Sequence, residues 1–172
     1  MHRPLNFLVP LLLAFALTSC GGGDKYPRST PEELGESLFE VIKNKDKEGL
    51  GTLLPTQDDL LKGIEAMSIS DEEKEGARER LENDWPKVKA EMENDVFGEF
   101  DPWVADLDRK IDLSTMELKQ VRVELNEEEG QLMSGDITVE YTSSGGDGAF
   151  YMEECAKLES GWVMSPNGFD GE

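Results

Sequence analysis

Histidine is almost missing from this 172-residue chain, the single copy being His2. Past that position nothing can supply an imidazole, which excludes Ser-His-Asp and Cys-His catalysis, histidine metal sites and histidine pH switches. Basic residues are also scarce, 17 Lys and Arg against 38 Asp and Glu, for a net charge of −21. Such a charge repels phosphate backbones and anionic leaflets, and so argues against nucleic-acid binding and against adsorption to a membrane surface. Cationic partners remain compatible with it, and solubility near a crowded surface accounts for most of it. Cysteine occurs twice, at positions 20 and 155. A long hydrophobic run is lacking as well: the longest, Leu5 to Leu17 with Pro10 inside it, falls short of the roughly 20 apolar residues that span a bilayer.

What that run does have is the layout of a secretory signal, with His2 and Arg3 ahead of it and small residues behind it. Leu17-Thr18-Ser19-Cys20, followed by Gly21-Gly22-Gly23, resembles the bacterial lipoprotein box. The resemblance implies transfer of diacylglycerol to the Cys20 thiol, removal of residues 1–19, acylation of the new N-terminus by a fatty chain such as palmitate, and stable anchoring, since one chain alone gives only marginal binding. Gly21 stands where an inner-membrane retention signal would carry aspartate, so the sorting rule implies the outer membrane, with the domain in the periplasm or at the cell surface. The sequence then divides into a signal peptide (1–19), a lipidated cysteine with a flexible Gly-rich tether (20–29) and one acidic domain (30–172). That chain from residue 20 keeps 16 basic residues against 38 acidic, a net of −22, and has no histidine. Cys155 is left without a disulfide partner, and a lone thiol of this kind is expected to be buried and inert.

Helical signals come first along the domain. Thr30-Pro31-Glu32-Glu33 predicts a capped helix start, with Leu34, Leu38, Val41 and Ile42 as its buried stripe and an end near Asn44. A short helical turn is expected in 45–54, stopped by Pro55, and Thr56 and Ser70 are expected to cap two further helices. Behind Ser70, residues Ala77, Leu81, Trp85, Val88, Met92 and Val96 keep a three-or-four spacing that reads as core, with Pro86 expected to kink or divide the helix. A single short turn should follow Asp101-Pro102-Trp103. The period then drops to two. Val121, Val123 and Leu125 predict one half-buried strand, and Ile137, Val139 and Tyr141 a second. Phe150, Met152, Glu154, Ala156 and Leu158 share one face of a third, and Trp162-Val163-Met164 forms a last strand before a soluble tail. Helices followed by an antiparallel meander of three to four strands predict an α+β domain.

Two stretches resemble the NTF2-like (cystatin-like) superfamily. Thr30 to Leu54 is similar to its opening helix, polar break at Asp46 and leucine-bearing short helix, and Tyr151 to Met164 is similar to its closing hairpin. The resemblance implies a cone-shaped pocket between sheet and helices, in a superfamily that includes enzymes, small-molecule binders and protein-interaction modules. Fold alone does not choose among them.

Candidate chemistry is thin. Without histidine the candidate acids and bases are Asp, Glu and Tyr, and Glu154 with Tyr141 is the leading pair, because a carboxylate on an apolar strand face would have a raised pKa; pairing with a cation or a place at the sheet edge would leave it structural. The run Asn44-x-Asp46-x-Glu48-Gly49 imitates the first half of an EF-hand, but Pro55 stands where the bidentate glutamate belongs. Asp101, Asp106 and Asp108 form a looser acidic group that solvated helix faces explain. Gly145-Gly146-Asp147-Gly148 precedes a strand and lacks a P-loop lysine, which makes it a hairpin turn. No metal or cofactor site is expected. The preferred expectation is a lipid-anchored, non-enzymatic module that binds a small molecule or a cationic protein; a histidine-free acid/base hydrolase or isomerase and an envelope assembly factor are the alternatives.

Overall fold

The computed structural model describes residues 25–126, 132–165 and 170–171. Cys20 and the signal region lie outside them, as does most of the turn expected between the first two strands. The element order is the expected one, helices and then an antiparallel sheet: α1 (Pro31–Lys43), α2 (Lys47–Thr52), α3 (Gln57–Ala66), α4 (Asp71–Met92), a π-helical turn (Glu93–Phe97), α5 (Gly98–Ile111), then β1 (Glu117–Asn126), β2 (Ser134–Ser143), β3 (Gly146–Leu158), β4 (Gly161–Val163) and the two-residue β5 (Asp170–Gly171). The domain is α+β.

The helix starts follow from local chemistry. Thr30, Thr56 and Ser70 each accept from the amide three residues on, while the Glu33, Asp59 or Glu73 carboxylate at that position reaches back to the cap amide. Each box satisfies two of the amides that a helix N-terminus leaves without partners.

Strands β1, β2 and β3 pair in order, and the far edge of β3 is shared by β4 at one end and β5 at the other. Residues 170–171, expected in a soluble tail, therefore pair with Phe150 and Tyr151. Ile137, Val139 and Tyr141 of β2 face inward and are buried, alternating with half-exposed neighbours. On β1, Val121 and Val123 are half-buried, but Leu125 is 49% exposed. Helix α1 lies across β1 and β2. Gly35 allows the close approach, since a Cβ there would meet Val121 Cγ1 at 2.6 Å and Ile137 Cγ2 at 3.2 Å. Leu34, Leu38, Phe100, Phe150, Ile137 and Met152 fill the space between helices and sheet in one continuous core. Within it the Phe150 ring stacks on Tyr141 at 4.7 Å and meets Trp103 edge-on at 5.7 Å.

Three helical expectations are corrected. Helix α4 is not divided at Pro86, and the break in its α-helical pattern comes seven residues later in the π-helical turn. Helix α5 has 14 residues rather than one turn. The apolar stripe of α4 is not core along its length: Met92 and Val96 are buried, but Ala77, Leu81, Trp85 and Val88 are only half-buried. The cause is geometric. Helix α4 rests on α3 and on its own continuation, and α3 has 10 residues against the 22 of α4.

Residues 25–29, assigned by composition to a flexible tether, are part of the packed body. Tyr26 is 6% exposed, Ser37 Oγ donates to the Pro27 carbonyl at 2.6 Å, the Trp162 amide to the Arg28 carbonyl at 2.6 Å, and Lys157 Nζ to the Ser29 carbonyl at 2.9 Å.

Candidate functional site

Where α1 gives way to α2, this N-terminal strap and the start of α2 enclose a cleft of about 340 Å³ lined by Lys25, Tyr26, Arg28, Asp46, Glu48, Gly49 and Thr52. Asp46 organises it. As N-cap of α2 its Oδ1 accepts from the Gly49 amide at 2.8 Å, while Oδ2 accepts from Lys25 Nζ and from the Tyr26 hydroxyl at 2.7 Å. Lys25, Tyr26 and the Gly49 amide together hold the Asp46 carboxyl well below the usual carboxylate range. Burial first, and then the bond to Asp46, raise the Tyr26 phenol above its ordinary value. Gly49 is required by the fit: a Cβ would stand 2.3 Å from the Tyr26 ring. Glu48, on the rim, is exposed and has no cation within ion-pair distance among the described residues.

The second fastening of the strap is a buried charge. Asp59 is 5% exposed and closes the capping box of α3 with Thr56, Oδ2 lying 4.0 Å from Arg28 Nη2. Burial would raise its carboxyl, but the Ser160 hydroxyl, Thr56 and the Arg28 charge outweigh it and keep it below the usual value. Arg28 thus connects α3 to the β3–β4 turn.

The pair Glu154 and Tyr141 is not brought together. Glu153 and Glu154 stand against the single residue Asp136, between the pairs Gly135–Cys155 and Ile137–Met152, so β3 carries a bulge. Glu154 takes a left-handed φ of 55°, its amide donates to Asp136 Oδ1 at 2.9 Å, and its side chain is exposed. The alternation that placed it on the inner face is reset by one residue, and Cys155 takes the inner position. Tyr141 is buried five residues along β2 from Asp136, about 17 Å away along the strand. Burial raises its phenol, and Phe150 covers its ring. No shared site can form.

The other acidic candidates are engaged separately. Asp101 pairs with Lys47 at 2.7 Å, Asp106 with Lys110 and Arg109, and Asp108 with Lys45 at 2.6 Å and with the Leu113 amide. The half EF-hand around Asp46 is the α1–α2 turn with its cap. Ser144 and Gly145 form the β2–β3 hairpin turn, Gly146 supplying φ +119°. Cys155 is fully buried, and burial pushes its thiol up to about 12. A shallower cleft of about 320 Å³ lies over the end of β2 and β3, between Lys119, Glu140, Asp147 and Tyr151. Among the described residues no helix is long and apolar enough to cross a membrane.

Sequence reasoning missed the Asp46 cleft and the Arg28–Asp59 fastening. The only signal was two basic residues and a tyrosine in an otherwise Gly-rich leader, at Lys25, Tyr26 and Arg28. No protein-family model, curated protein or solved structure matches this chain.

Proposed function

We propose that this chain is a lipid-anchored protein of the bacterial envelope, held at the outer membrane through acylated Cys20, and that it is a non-enzymatic module binding a cationic protein partner. One observation carries the interaction reading: along α4 the apolar residues Leu81, Trp85 and Val88 are only half-buried. A partner would cover that stripe, with Trp85 as its anchor, since buried aromatic anchors dominate interface energetics. The net charge of −22 from residue 20 onward selects a basic partner and repels an acidic one. A continuous apolar core joins the helices to the sheet, which supports recognition at the surface. Glu154, the leading carboxylate of the acid/base alternative, turns outward, which supports the non-enzymatic reading.

Affinity capture from the host's own envelope tests this with wild type and Trp85→Ser as baits. One basic protein, retained by wild type, lost with Trp85→Ser and released at about 1 M salt, where the Debye length is near 3 Å, is the expected result. Turnover of a substrate, or a small-molecule adduct on the native protein in mass spectrometry, would overturn it. Cys20→Ala checks the anchor: it should release the protein from membranes or trap its precursor.

A further inference from the structure

We infer that the strap of residues 25–29 orients the domain on its membrane, with the C-terminal end of α1 and the α1–α2 turn toward the leaflet and the β3–β4 turn away from it; this rests on Cys20 being the anchor. Chain length sets the constraint. If 20–29 were all flexible, the domain could tumble at the end of its tether. Because Lys25 is fixed to Asp46 and Tyr26 is buried beside it, five residue steps separate the lipid from the folded body, a reach of at most about 18 Å.

The strap also has a direction. Lys25 and Tyr26 sit at Asp46, just past the end of α1, the Pro27 carbonyl is held by Ser37 in the middle of α1, and the Ser29 amide donates to Glu33 in its first turn. The strap therefore runs antiparallel to α1. Its other end is pinned to the β3–β4 hairpin through Arg28 and Trp162, and a Cβ on Gly161 would stand 2.5 Å from the Arg28 carbonyl oxygen. The 13 residues of α1 put about 20 Å between the two ends. The chain leaves toward its lipid from the α1–α2 end, so that end faces the headgroups.

Charge at this end agrees. In a chain so acidic, Lys25, Lys43, Lys45 and Lys47 gather here. Lys25, Lys45 and Lys47 pair with Asp46, Asp108 and Asp101, and Lys43 donates to the Met116 carbonyl. The surface nearest the leaflet is thus locally balanced, and the excess negative charge lies elsewhere. The lipid supplies the attachment, and the strap supplies the orientation.

The test uses the full lipidated chain in phosphatidylcholine vesicles carrying a nitroxide on the headgroup, so that lipid charge has no part in the result. Single cysteines are introduced by Glu48→Cys, beside the strap's start, and Glu159→Cys, in the β3–β4 turn, and each is labelled with a small fluorophore; Cys155 is buried and does not compete. Quenching at position 48 and loss of it at position 159 is the expected result, and inserting twenty Gly-Ser residues between Gly23 and Asp24 should erase the difference. Equal quenching at both positions in vesicle-bound protein, or stronger quenching at 159, overturns the orientation alone. A protein that carries no lipid and does not float with the vesicles overturns the anchor as well, so the two failures are told apart.

Discussion

Replacing Glu154 by glycine and by valine should change stability in opposite directions, and the sign tests the bulge in β3. Glu154 sits at φ 55° with its side chain in solvent, so it has no packing to lose. A left-handed conformation costs an L-residue about 1–2 kcal/mol, which glycine does not incur. The glycine variant forfeits about 0.4–1 kcal/mol of that through the greater freedom of its unfolded chain. It should come out about 0.5–1 kcal/mol more stable than wild type. Valine, branched at Cβ, is the poorest fit to this conformation and should cost about 1–2 kcal/mol. The gap between the two variants, about 2 kcal/mol, corresponds to roughly 4–8 °C in Tm for a domain of this size. Urea unfolding at neutral pH, followed by far-ultraviolet circular dichroism and extrapolated linearly, reads it directly. Had β3 kept strict alternation, position 154 would lie on the apolar inner face, where valine gains burial and glycine loses about 0.5–1 kcal/mol of strand stability. A valine variant more stable than the glycine variant would therefore refute the bulge.

Two further variants examine how the strap is held. Gly161→Ala combines a φ of +129° with a Cβ 2.5 Å from the Arg28 carbonyl oxygen, so it should cost about 2 kcal/mol or more in urea unfolding and weaken hydrogen-exchange protection of the Trp162 amide. Asp46→Ala removes the cap of α2 and the acceptor of the buried Tyr26 hydroxyl, a loss of about 2 kcal/mol at neutral pH. Its pH dependence has a definite sign: a carboxyl held below its usual 3.8 by the fold contributes stability that is present above that value and fades as the pH falls below it. The Asp46→Ala penalty should therefore shrink on acidification, and an unchanged penalty at pH 2 to 3 would contradict the assignment.

What was legible in the sequence was local. The caps at Thr30, Thr56 and Ser70 are complete within four residues, and the alternation of Ile137, Val139 and Tyr141 lies within one strand whose inner face is wholly covered. What was hidden depends on partners distant along the chain. The bulge at Glu154 is a matter of register against Asp136, 18 positions earlier, and no period within β3 reveals it. The half-exposed stripe of α4 follows from the length of α3, because an apolar face spaced for a core becomes core only where something covers it. Glycines preceding Lys25, Tyr26 and Arg28 suggested a solvated leader, yet these three residues find their partners at positions 46, 59 and 162. As for the candidate site, the Asp46 cleft exists only once the strap has folded back, so no linear string announces it.

These hidden features act together. A domain with so large a negative charge, free on a nine-residue tether, would be repelled by any anionic leaflet and would present every face to a partner in turn. Fixing residues 25–29 leaves five residue steps between Cys20 and the folded body in place of nine, and ties the direction in which the chain departs to that of α1. Lys45 and Lys47 of the α1–α2 turn and Lys25 of the strap are each matched to a carboxylate, so this end of the domain carries its own counter-charges. On the proposed orientation, the strap that composition disguises as a linker would also decide which surfaces of the domain a basic partner reaches first.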